Sequence, residues 1–413
     1  MTNTSPPPTL QEAEKAFAEG RFKDARTMLQ LANNHGDPNA AYALAVAQAY
    51  GQGGDVDRAA AIKTLQAVAP ALPAARRFLR VAMASGWKEG LGWSDAVADL
   101  IDGARNGSAS DLREVAFLLL INGEANLAIS ALVEAAKAQD PAAAMALIRL
   151  GSADPSTTEN TRKTLDRLAQ TNHPLAGELT SVYSGEVRAP NCDPINWTVV
   201  AKAVSEPIFN AAQSAELIPT ISAKSHMGAL PPAICDYVIT SGLRALQPST
   251  IVDPETGERS LDPHRKSLSA TFAPHMQDLV IHAVERQMTA LANMPWLQAE
   301  RLVMLFYRPG EEYKPHVDYF SPDELGGSAE LTRGGQRVST SLICLHPAAD
   351  GGATQFPRFD TRWIGETGDG LTFRNVDDDG QPAPLSLHQG TVVTDGWKAL
   401  LSLWIRDQNT SPS

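Results

Sequence analysis

A helix-starting pattern recurs along the first half of the chain, and its spacing constrains the fold more than any other feature of the sequence. Each copy is a proline, in three of four cases preceded by Asp or His, followed by alanine and leucine at helical spacing. The prolines lie 35, 68 and 33 residues apart, at Pro38, Pro73, Pro141 and Pro174. A degenerate copy between Ser108 and Leu119 divides the long interval. The pattern predicts about five helix-pair repeats.

Residues 10–185 are rich in Ala and Leu, with apolar residues three and four positions apart, which predicts packed amphipathic helices. One helix pair cannot bury its apolar face alone, so neighbouring pairs would stack into a solenoid. The stretch "AAYALAVAQAYGQGGDVDRAAAIKTLQ" is similar to the tetratricopeptide-related repeats called Sel1-like. A plain helical bundle is the alternative. Both structures predict a contact surface for a protein and no chemistry, and residues 1–9 are expected to be disordered.

The sequence changes character near Gly185, where turn-forming residues and then β-like runs such as Trp197–Val200 replace the helical pattern. With 413 residues, two domains are expected. We predict a connecting segment over 186–229 and a catalytic domain over 230–413. That domain should have helices near 233–246 and 277–291, and strands and loops after Arg301. The fold class predicted for the chain is α + β, an all-α repeat region followed by a sheet domain with supporting helices.

Charge and cysteine content narrow the partners and the compartment. The formal net charge is −12, without a clustered Lys/Arg stripe, which argues against nucleic acid and an anionic membrane as partners. No stretch resembles a secretory signal or a membrane span. Cys192, Cys235 and Cys344 are an odd number and widely spaced, as expected of reduced thiols. We therefore expect a cytoplasmic protein, in which any metal is bound by His and carboxylate.

The first candidate for chemistry is the pair His316 and Asp318. Residues two apart on a strand point to the same face, so an imidazole and a carboxylate would converge on one point. With one further histidine they would form the two-His, one-carboxylate triad of non-haem Fe(II) enzymes, which leaves coordination positions open. Alone, an H-x-D pair is weak evidence for a metal site.

The stretch "LHQGTVVTDGWKALLSLWIRD" strengthens this interpretation, because it places His388 ten residues before Lys398. The strand that Lys398 starts alternates, so that Lys398 shares a face with Trp404 while the other face is wholly apolar. A lysine that faces a barrel interior is costly unless it meets an anion, and a dicarboxylate cosubstrate is such an anion. An ordinary salt bridge to Asp or Glu is the alternative.

From about Leu230 to Asp407, a little under half of the chain, the sequence resembles the prolyl 4-hydroxylase family of Fe(II)- and 2-oxoglutarate-dependent dioxygenases. Five spaced motifs occur in the family's order, namely "DPETGERSLDPHRKS", "FYRPGEEYKPHVDYF", "GGQRVSTSLICL", "GGATQFP" and "SLHQGTVVTDGWKALLSLWIR". The resemblance implies a double-stranded β-helix, which is a jelly-roll barrel of antiparallel strands.

The resemblance also implies roles for individual residues. The metal ligands would be His316, Asp318 and His388, and Lys398 would pair with the C5 carboxylate of 2-oxoglutarate. The hydroxyls of Tyr307 and Thr354 would assist Lys398. The residues implied to face a peptide substrate are Tyr313, Arg337 and Trp404.

The activity implied is that of a dioxygenase of the procollagen-proline 4-dioxygenase type. It would hydroxylate a prolyl residue of a protein or peptide with Fe(II), 2-oxoglutarate and O2, release succinate and CO2, and use ascorbate as reductant. The helical repeats would recruit the protein substrate. The alternatives are the same chemistry on another side chain or a free amino acid and, in a different class, a non-catalytic adaptor in which the repeats carry the function.

Two parts of the sequence depart from the family or leave its pattern open. "CLH" at 344–346 replaces the usual Tyr-Leu-Asn, and "RKS" at 265–267 replaces Arg-Thr-Ser. His346 is a weaker candidate for the third ligand than His388, because no lysine follows it at ten residues. Residues 319–336, rich in Gly and acidic residues, are either a mobile lid or an exposed connector.

Overall fold

A computed structural model describes residues 8–152, 155–183, 194–206, 213–252, 259–261, 265–321, 323 and 325–410. Gly185, near which we predict a domain boundary, and Cys192 lie outside these residues, as does most of the predicted disordered N-terminus. The chain divides into two compact units, Met1–Asp102 with Pro274–Leu279, and Gly103–Ala273 with Val280–Ser413. The domain limits taken from the sequence stay predictions. None of the described helices combines the length and apolar content that a membrane crossing requires.

The first unit is built from helices, and its sequence explains where they start. Asp37 accepts hydrogen bonds from the backbone N–H groups of Asn39 and Ala40, and Pro38 occupies the first helical position, which needs no N–H donor. The segment Pro274–Leu279 belongs to this unit, where the Tyr42 hydroxyl donates to the His275 carbonyl over 3.2 Å. The helices are α1 (Leu10–Ala18), α2 (Phe22–Asn34), α3 (Pro38–Tyr50), α4 (Arg58–Val68), α5 (Pro73–Ala84) and α6 (Trp93–Arg105), the last running past the end of the unit.

The second unit opens with further helices of the same kind, and Asp140 and Pro141 start one of them as Asp37 and Pro38 do. Its helices are α7 (Ala109–Ile121), α8 (Ala125–Lys137), α9 (Pro141–Arg149), α10 (Thr158–Gln170), α11 (Ala176–Val182), α12 (Trp197–Ala203), α13 (Pro232–Leu243), α14 (Leu279–Leu291) and α15 (Leu325–Gly334). The helices predicted over 233–246 and 277–291 are confirmed as α13 and α14.

Two local predictions are wrong. Trp197–Val200 is the start of helix α12 and not a strand, because the Asn196 side chain accepts from the N–H groups of Thr198 and Val199 and caps a helix. The segment 319–336, predicted to be a loop, contains helix α15. In the first case the local capping signal outweighs the β propensity of the valines.

The described residues of the second unit also contain sixteen strands. They are β1 (Gln213–Ile218), β2 (Ala223–Met227), β3 (Gln247–Pro248), β4 (Thr250–Val252), β5 (Arg259–Leu261), β6 (Leu268–Phe272), β7 (Leu302–Tyr307), β8 (Tyr313–His316), β9 (Arg337–His346), β10 (Asp350–Gly351), β11 (Thr354–Phe356), β12 (Thr361–Trp363), β13 (Gly370–Arg374), β14 (His388–Gly390), β15 (Val393–Asp395) and β16 (Lys398–Arg406).

Most of these strands form a large and a small antiparallel sheet, while β10 with β15 and β4 with β5 form two-stranded sheets. The large sheet has the order β1-β2-β13-β9-β16-β7-β6-β3, and the small sheet has the order β12-β11-β14-β8. The chain passes between the two sheets from β7 to β8, from β8 to β9 and from β13 to β14, which is the wrapping of a double-stranded β-helix. The predicted fold class, helical repeats followed by this barrel, is therefore confirmed.

Apolar side chains from both sheets meet inside the barrel. Phe356 from the small sheet and Phe373 from the large sheet are almost fully buried, and their ring centroids lie 5.2 Å apart. The same buried cluster includes Leu305 and Leu400, which are cross-strand partners on β7 and β16. Trp404 packs at its edge. The alternation predicted for the last strand therefore holds, with Leu400 and Trp404 on the barrel side.

Helices α9 and α13 are joined by a buried ion pair. Arg149 donates through Nε and Nη2 to the two carboxylate oxygens of Asp236, over 2.7 and 3.0 Å. The Asp236 side chain is 2% exposed, and that of Arg149 is 14% exposed. Nearby, the ring of Phe117 on α7 lies 4.7 Å from that of Tyr237 on α13. Helices of the predicted repeat region therefore share a core with a helix of the predicted catalytic domain.

Candidate metal and cosubstrate site

Three predicted ligands converge at one end of the small sheet. His388 on β14 and His316 on β8 are direct cross-strand partners, and their ring centroids lie 4.3 Å apart. Asp318 follows the end of β8, with Oδ1 3.7 Å from Nε2 of His316 and Oδ2 3.6 Å from Nε2 of His388. One potential ligand atom from each of the three lies within 4.8 Å of the other two. In the described part of the chain, no other group of His, Cys, Asp or Glu side chains meets this criterion.

Backbone carbonyls fix the orientation of both imidazoles. The Nδ1–H of His316 donates to the carbonyl of Lys314 over 2.8 Å, and that of His388 donates to the carbonyl of Ser386 over 2.9 Å. A proton on Nδ1 leaves the Nε2 lone pair available, and Nε2 is the atom that faces Asp318 in each case. Such hydrogen bonds are typical of histidines that bind metal ions.

The charge states of His316 and Asp318 also suit a divalent cation. Burial, followed by the neighbouring His388, lowers the pKa of His316 to about 3, so its imidazole is neutral at physiological pH. Burial by itself would raise the pKa of Asp318, but His388, His316 and Arg337 outweigh it, and the pKa lies below its usual value. Two imidazoles and one carboxylate are the ligand set of non-haem Fe(II) sites, so these residues fit the metal.

A chain of buried polar groups lies behind Asp318. The Thr340 hydroxyl on β9 donates to Oδ2 of Asp318 over 2.7 Å, and the Asn375 amide donates to that hydroxyl over 2.8 Å. Neither residue is among those predicted from the sequence. Thr340 lies in the motif "GGQRVSTSLICL", which could have drawn attention to it, whereas nothing in the sequence marks Asn375.

Lys398 lies at the start of β16 and faces the barrel interior. Its side chain is 6% exposed, and Nζ donates to the carbonyl of Gly352 over 2.6 Å and lies 5.9 Å from the ring centroid of Tyr307, its cross-strand partner. In the described part of the chain no carboxylate pairs with it, so the salt bridge considered as an alternative is not formed there. Burial lowers the pKa of Lys398 to about 8.

The Gly-Gly-x-Thr turn links Lys398 to the strands of the metal ligands. Thr354 is buried on β11 and pairs with Gly390 on β14, two residues after His388. Gly351 has a φ of +76°, and a Cβ there would lie 2.2 Å from the carbonyl oxygen of Val392. The turn therefore requires glycine at this position.

The three residues predicted to face a substrate lie in two places. Tyr313 is half-buried and stacks on His316, with ring centroids 3.5 Å apart. The Arg337 guanidinium lies over the Trp404 ring at 4.1 Å. Arg337 also makes two hydrogen bonds to the carboxylate of Glu300, of 2.7 and 2.8 Å.

Two further residues, which the sequence patterns did not reveal, lie beside Arg337. Glu300 accepts hydrogen bonds from both Arg337 and Arg406. Phe320 packs against the same two guanidinium groups, at 4.6 and 4.4 Å. Its backbone is held by the Gln336 side chain, which accepts from the Phe320 N–H over 2.7 Å and donates to its carbonyl over 2.9 Å. No spacing rule links these positions, which come together only in the folded barrel.

His346 does not join the metal cluster. Its Nδ1 lies 3.2 Å from the carbonyl oxygen of Trp397, its ring stacks on that of Trp397, and its Nε2 lies 3.4 Å from a carboxylate oxygen of Glu178 on α11. The choice of His388 over His346 therefore agrees with the geometry.

Comparison with known proteins places the barrel in a family. No family model matches the chain. Prolyl 4-hydroxylase 1 of Arabidopsis thaliana is 34% identical over 197 residues, which cover 44% of this chain and 68% of the relative. The chain belongs to the prolyl 4-hydroxylase family. Prolyl 4-hydroxylase 2 of the same plant is 29% identical over 219 residues, covering 48% of this chain and 71% of the relative. The protein is accordingly a 2-oxoglutarate-dependent dioxygenase.

Two solved structures are similar to portions of the chain. A viral collagen prolyl hydroxylase from Paramecium bursaria Chlorella virus-1 is 22% identical, covering 44% of this chain and 94% of that one, with a TM-score of 0.35. A Sel1 repeat protein from Oxalobacter formigenes is 19% identical, covering 47% of this chain and 86% of that one, with a TM-score of 0.32.

Proposed function

We propose that this chain hydroxylates a prolyl residue, at the 4-position, in a protein or peptide, using Fe(II), 2-oxoglutarate and O2 and releasing succinate and CO2. One observation carries the proposal: the His316–Asp318–His388 cluster and the buried Lys398, which has no carboxylate partner among the described residues, lie on strands of one barrel. The former supplies a metal site and the latter an anion site. The prolyl target rests on the names of the relatives, which are prolyl 4-hydroxylases.

Each residue of the site has a separate task. His316 and His388 would hold the metal through Nε2, and Asp318 would hold it through a carboxylate oxygen. Fe(II) with 2-oxoglutarate supplies the oxidation, in which one oxygen atom of O2 enters succinate, the other enters the substrate C–H bond, and CO2 leaves. Lys398 would bind the C5 carboxylate of 2-oxoglutarate, and the hydroxyls of Tyr307, its cross-strand partner, and Thr354 would add hydrogen bonds to it.

Apolar packing behind the ligands keeps water away from the reacting groups. The Phe373 and Phe356 rings lie 4.7 and 5.9 Å from the His388 ring. In a site from which water is excluded, charge interactions such as that of Lys398 with a carboxylate are stronger than in bulk solvent. Lys398 and the metal ligands would together restrict the cosubstrate to one orientation.

Tyr313, Arg337 and Trp404 are proposed to contact the peptide. Glu300 holds Arg337 flat against Trp404, so the pair forms a fixed surface in which an aromatic face lies beside a guanidinium. Tyr313 stacks directly on the ligand His316, which places its ring beside the metal site. A fixed surface lowers the conformational entropy cost of positioning one C–H bond.

The proposal extends to the partner, the reductant and the compartment. The helical repeats recruit the protein substrate, and ascorbate returns over-oxidised iron to Fe(II). A cytoplasmic location is supported by Cys235 and Cys344, which are free thiols, and cell fractionation tests it.

Recruitment is tested with the exposed apolar residues Phe22 and Val56 of the first unit. Replacing them with serine should raise KM for the protein substrate and leave KM for a short peptide unchanged. A KM for the protein substrate equal to that of wild type would contradict recruitment at these positions.

The activity is tested by mass spectrometry of host proteins incubated with the full chain, Fe(II), ascorbate and 2-oxoglutarate. The expected product is a 2-oxoglutarate-dependent gain of one oxygen on proline, lost in the Asp318→Ala variant and kept in Lys202→Met, which changes an exposed residue on α12. A gain on another side chain would contradict the prolyl assignment. Succinate release with free amino acids only would contradict a protein substrate, and absence of turnover together with absence of 2-oxoglutarate binding would favour the adaptor.

A further inference from the structure

We propose that Thr340 and Asn375 are positioning residues that fix the Asp318 carboxylate for metal binding, an inference that rests on the proposed function. Asp318 lies in the turn after β8 of the small sheet, whereas Thr340 is on β9 and Asn375 directly follows β13, both in the large sheet. The two hydrogen bonds, of 2.8 and 2.7 Å, therefore connect the ligand to strands across the barrel.

The direction of the two hydrogen bonds is determined by their chemistry. The Asn375 Nδ2 group can only donate, so the Thr340 oxygen accepts there. A hydroxyl has a single proton, and with the Asn375 side occupied by an incoming N–H, that proton is directed to Oδ2 of Asp318. Asn375 therefore prevents the Thr340 hydroxyl from turning away from the ligand.

Both positioning residues are held rigidly. Thr340 is 1% exposed and Asn375 is 0% exposed. The backbone N–H of Asn375 donates to the carbonyl of Val338 over 3.0 Å, and its carbonyl accepts from the N–H of Ala383 over 3.0 Å. Neither residue can move far without breaking backbone hydrogen bonds, since Thr340 lies between β13 and β16 and Asn375 is bonded at the end of β13. The Asp318 carboxylate is thus attached to a frame that is set before any ligand binds.

The amide oxygen of Asn375 points to the same conclusion. It is buried and has no hydrogen-bond partner among the described residues. An unpaired buried carbonyl oxygen destabilises a fold by roughly 1–3 kcal/mol in general, so a leucine here would serve the core better. The amide is explained by the hydrogen bond that its nitrogen makes to Thr340.

Fixing Oδ2 has a consequence for the carboxylate as a ligand. Oδ2 is engaged as a hydrogen-bond acceptor, while Oδ1 makes no hydrogen bond in the described part of the chain. Oδ1 is then the oxygen more available to a cation, which favours binding through a single oxygen and keeps the remaining positions for cosubstrate and O2. Partners of this kind change metal affinity about 10–100-fold when they are removed.

The test compares Thr340→Val, Thr340→Ser and Asn375→Ala in the full chain. The readouts are the Kd for Mn²⁺, measured by calorimetry without cosubstrate, and the visible absorption of the Co²⁺ form, which reports the ligand arrangement. We expect Thr340→Val to weaken Mn²⁺ binding about 10–100-fold and to change the Co²⁺ spectrum. Thr340→Ser should keep the wild-type Kd for Mn²⁺ and the wild-type Co²⁺ spectrum. Asn375→Ala should give a Kd and a spectrum between those of wild type and Thr340→Val.

Thr372→Val is the matched control. Thr372 on β13 is also buried, and its hydroxyl lies 2.8 Å from Nε2 of His226, outside the metal cluster. It should lower thermal stability as Thr340→Val does, with an unchanged Kd for Mn²⁺. If Thr340→Val does not fold, the positioning role is tested by comparing the Kd for Mn²⁺ of Asn375→Ala with that of Thr372→Val.

The outcomes separate the positioning proposal from the proposed function. Wild-type affinity and spectrum in both Thr340→Val and Asn375→Ala would overturn the positioning role while leaving the metal site intact. Equal losses in Thr340→Val and Thr340→Ser would also overturn it, because the hydroxyl would then not be the group that matters. Failure of the wild-type chain to bind Mn²⁺ would overturn the proposed function itself.

Discussion

The side-chain ammonium of Lys398 donates a hydrogen bond to the backbone carbonyl of Gly352, and in the described part of the chain no carboxylate neutralises it. A buried cation without a counter-ion is destabilising, and its proton affinity falls as a result. The pKa of Lys398 is lowered to about 8 for this reason. An anion that enters the barrel therefore finds a cation already in place.

Binding of 2-oxoglutarate should consequently depend on pH. The anion requires the ammonium form, so the Kd should be constant below pH 8 and rise roughly tenfold for each pH unit above it. Calorimetric titration of the Mn²⁺-loaded chain between pH 6.5 and about 9.5 measures this dependence. In Lys398→Met the Kd should be about 100-fold higher and should not show this break, whereas Lys202→Met should behave as wild type. A wild-type Kd that stays constant up to pH 9.5 would contradict the assignment of Lys398.

Lys398→Met weakens cosubstrate binding but should increase the stability of the cosubstrate-free chain. Because the folded-state pKa of Lys398 lies below the usual value of 10.5, the unfolded state binds more protons between pH 8 and 10.5, and stability from this group rises as pH rises through that window. At pH 7 the cost is fully present and amounts to about 3 kcal/mol at most. Lys398→Met should therefore raise the free energy of unfolding at pH 7, measured in urea, and a lower value would contradict a lysine without a counter-ion.

Metal binding should stabilise the chain through the His–Asp–His cluster. At a Mn²⁺ concentration of about 100 times Kd, the folded state gains about 2.7 kcal/mol, which corresponds to a Tm increase of roughly 2–4 °C. Asp318→Ala should abolish this increase in scanning calorimetry, and so should chelation of the metal. His346→Ala, which alters a histidine outside the cluster, should keep it. An increase that persists in Asp318→Ala would place the metal elsewhere.

Gly351 offers a test of the turn beside Lys398. Gly351→Ala would bring a methyl group 2.2 Å from the Val392 carbonyl oxygen, in addition to the cost of a φ of +76°. Gly380 has the same φ, and a methyl group there would meet no described atom within 4 Å, so Gly380→Ala isolates the backbone cost. We expect about 1 kcal/mol for Gly380→Ala and about 2–4 kcal/mol for Gly351→Ala in urea unfolding. Equal losses would show that the close approach is relieved at no cost.

The ion pair between Arg149 and Asp236 should make the later repeat helices necessary for a stable catalytic barrel. Arg149→Met leaves the Asp236 carboxylate buried without its partner, which should cost about 3–5 kcal/mol. Adding Asp236→Leu should recover most of this loss, since a packed apolar pair replaces the ion pair. Arg162→Met, at an exposed position of α10, should change stability by less than about 0.5 kcal/mol. Similar losses of stability in Arg149→Met and in the double variant would show that the unpaired Asp236 carboxylate is not the cause of the loss.

Much of the site could be predicted from the sequence because its residues lie at short, fixed spacings. His316 and Asp318 are two apart, and Lys398 follows His388 by ten residues, so motif spacing and order were enough to find them, although Asp318 lies just beyond the end of β8. Asp37 and Pro38 likewise marked a helix start through purely local chemistry.

The remainder depends on contacts between residues distant in sequence. Thr340 and Asn375 reach Asp318 only through the pairing of β9 with β13 and the closing of the barrel. Glu300 meets Arg337 and Arg406 in the same way. No pattern within a single segment carries this information, because it is set by tertiary packing. The helix at Trp197 was missed for a smaller reason, since the capping asparagine outweighs the β propensity of Val199 and Val200.

The cross-strand pairing of His316 with His388 makes the metal site a check on correct folding. A slip of one residue between β8 and β14 would turn one imidazole to the opposite side of the sheet, because side chains alternate along a strand. A chain that folds in the wrong register would then lose its ligand set altogether and would not acquire an altered specificity. A chain with the wrong strand register should therefore be inactive. The fraction of a preparation that binds metal should then measure the fraction that is correctly folded.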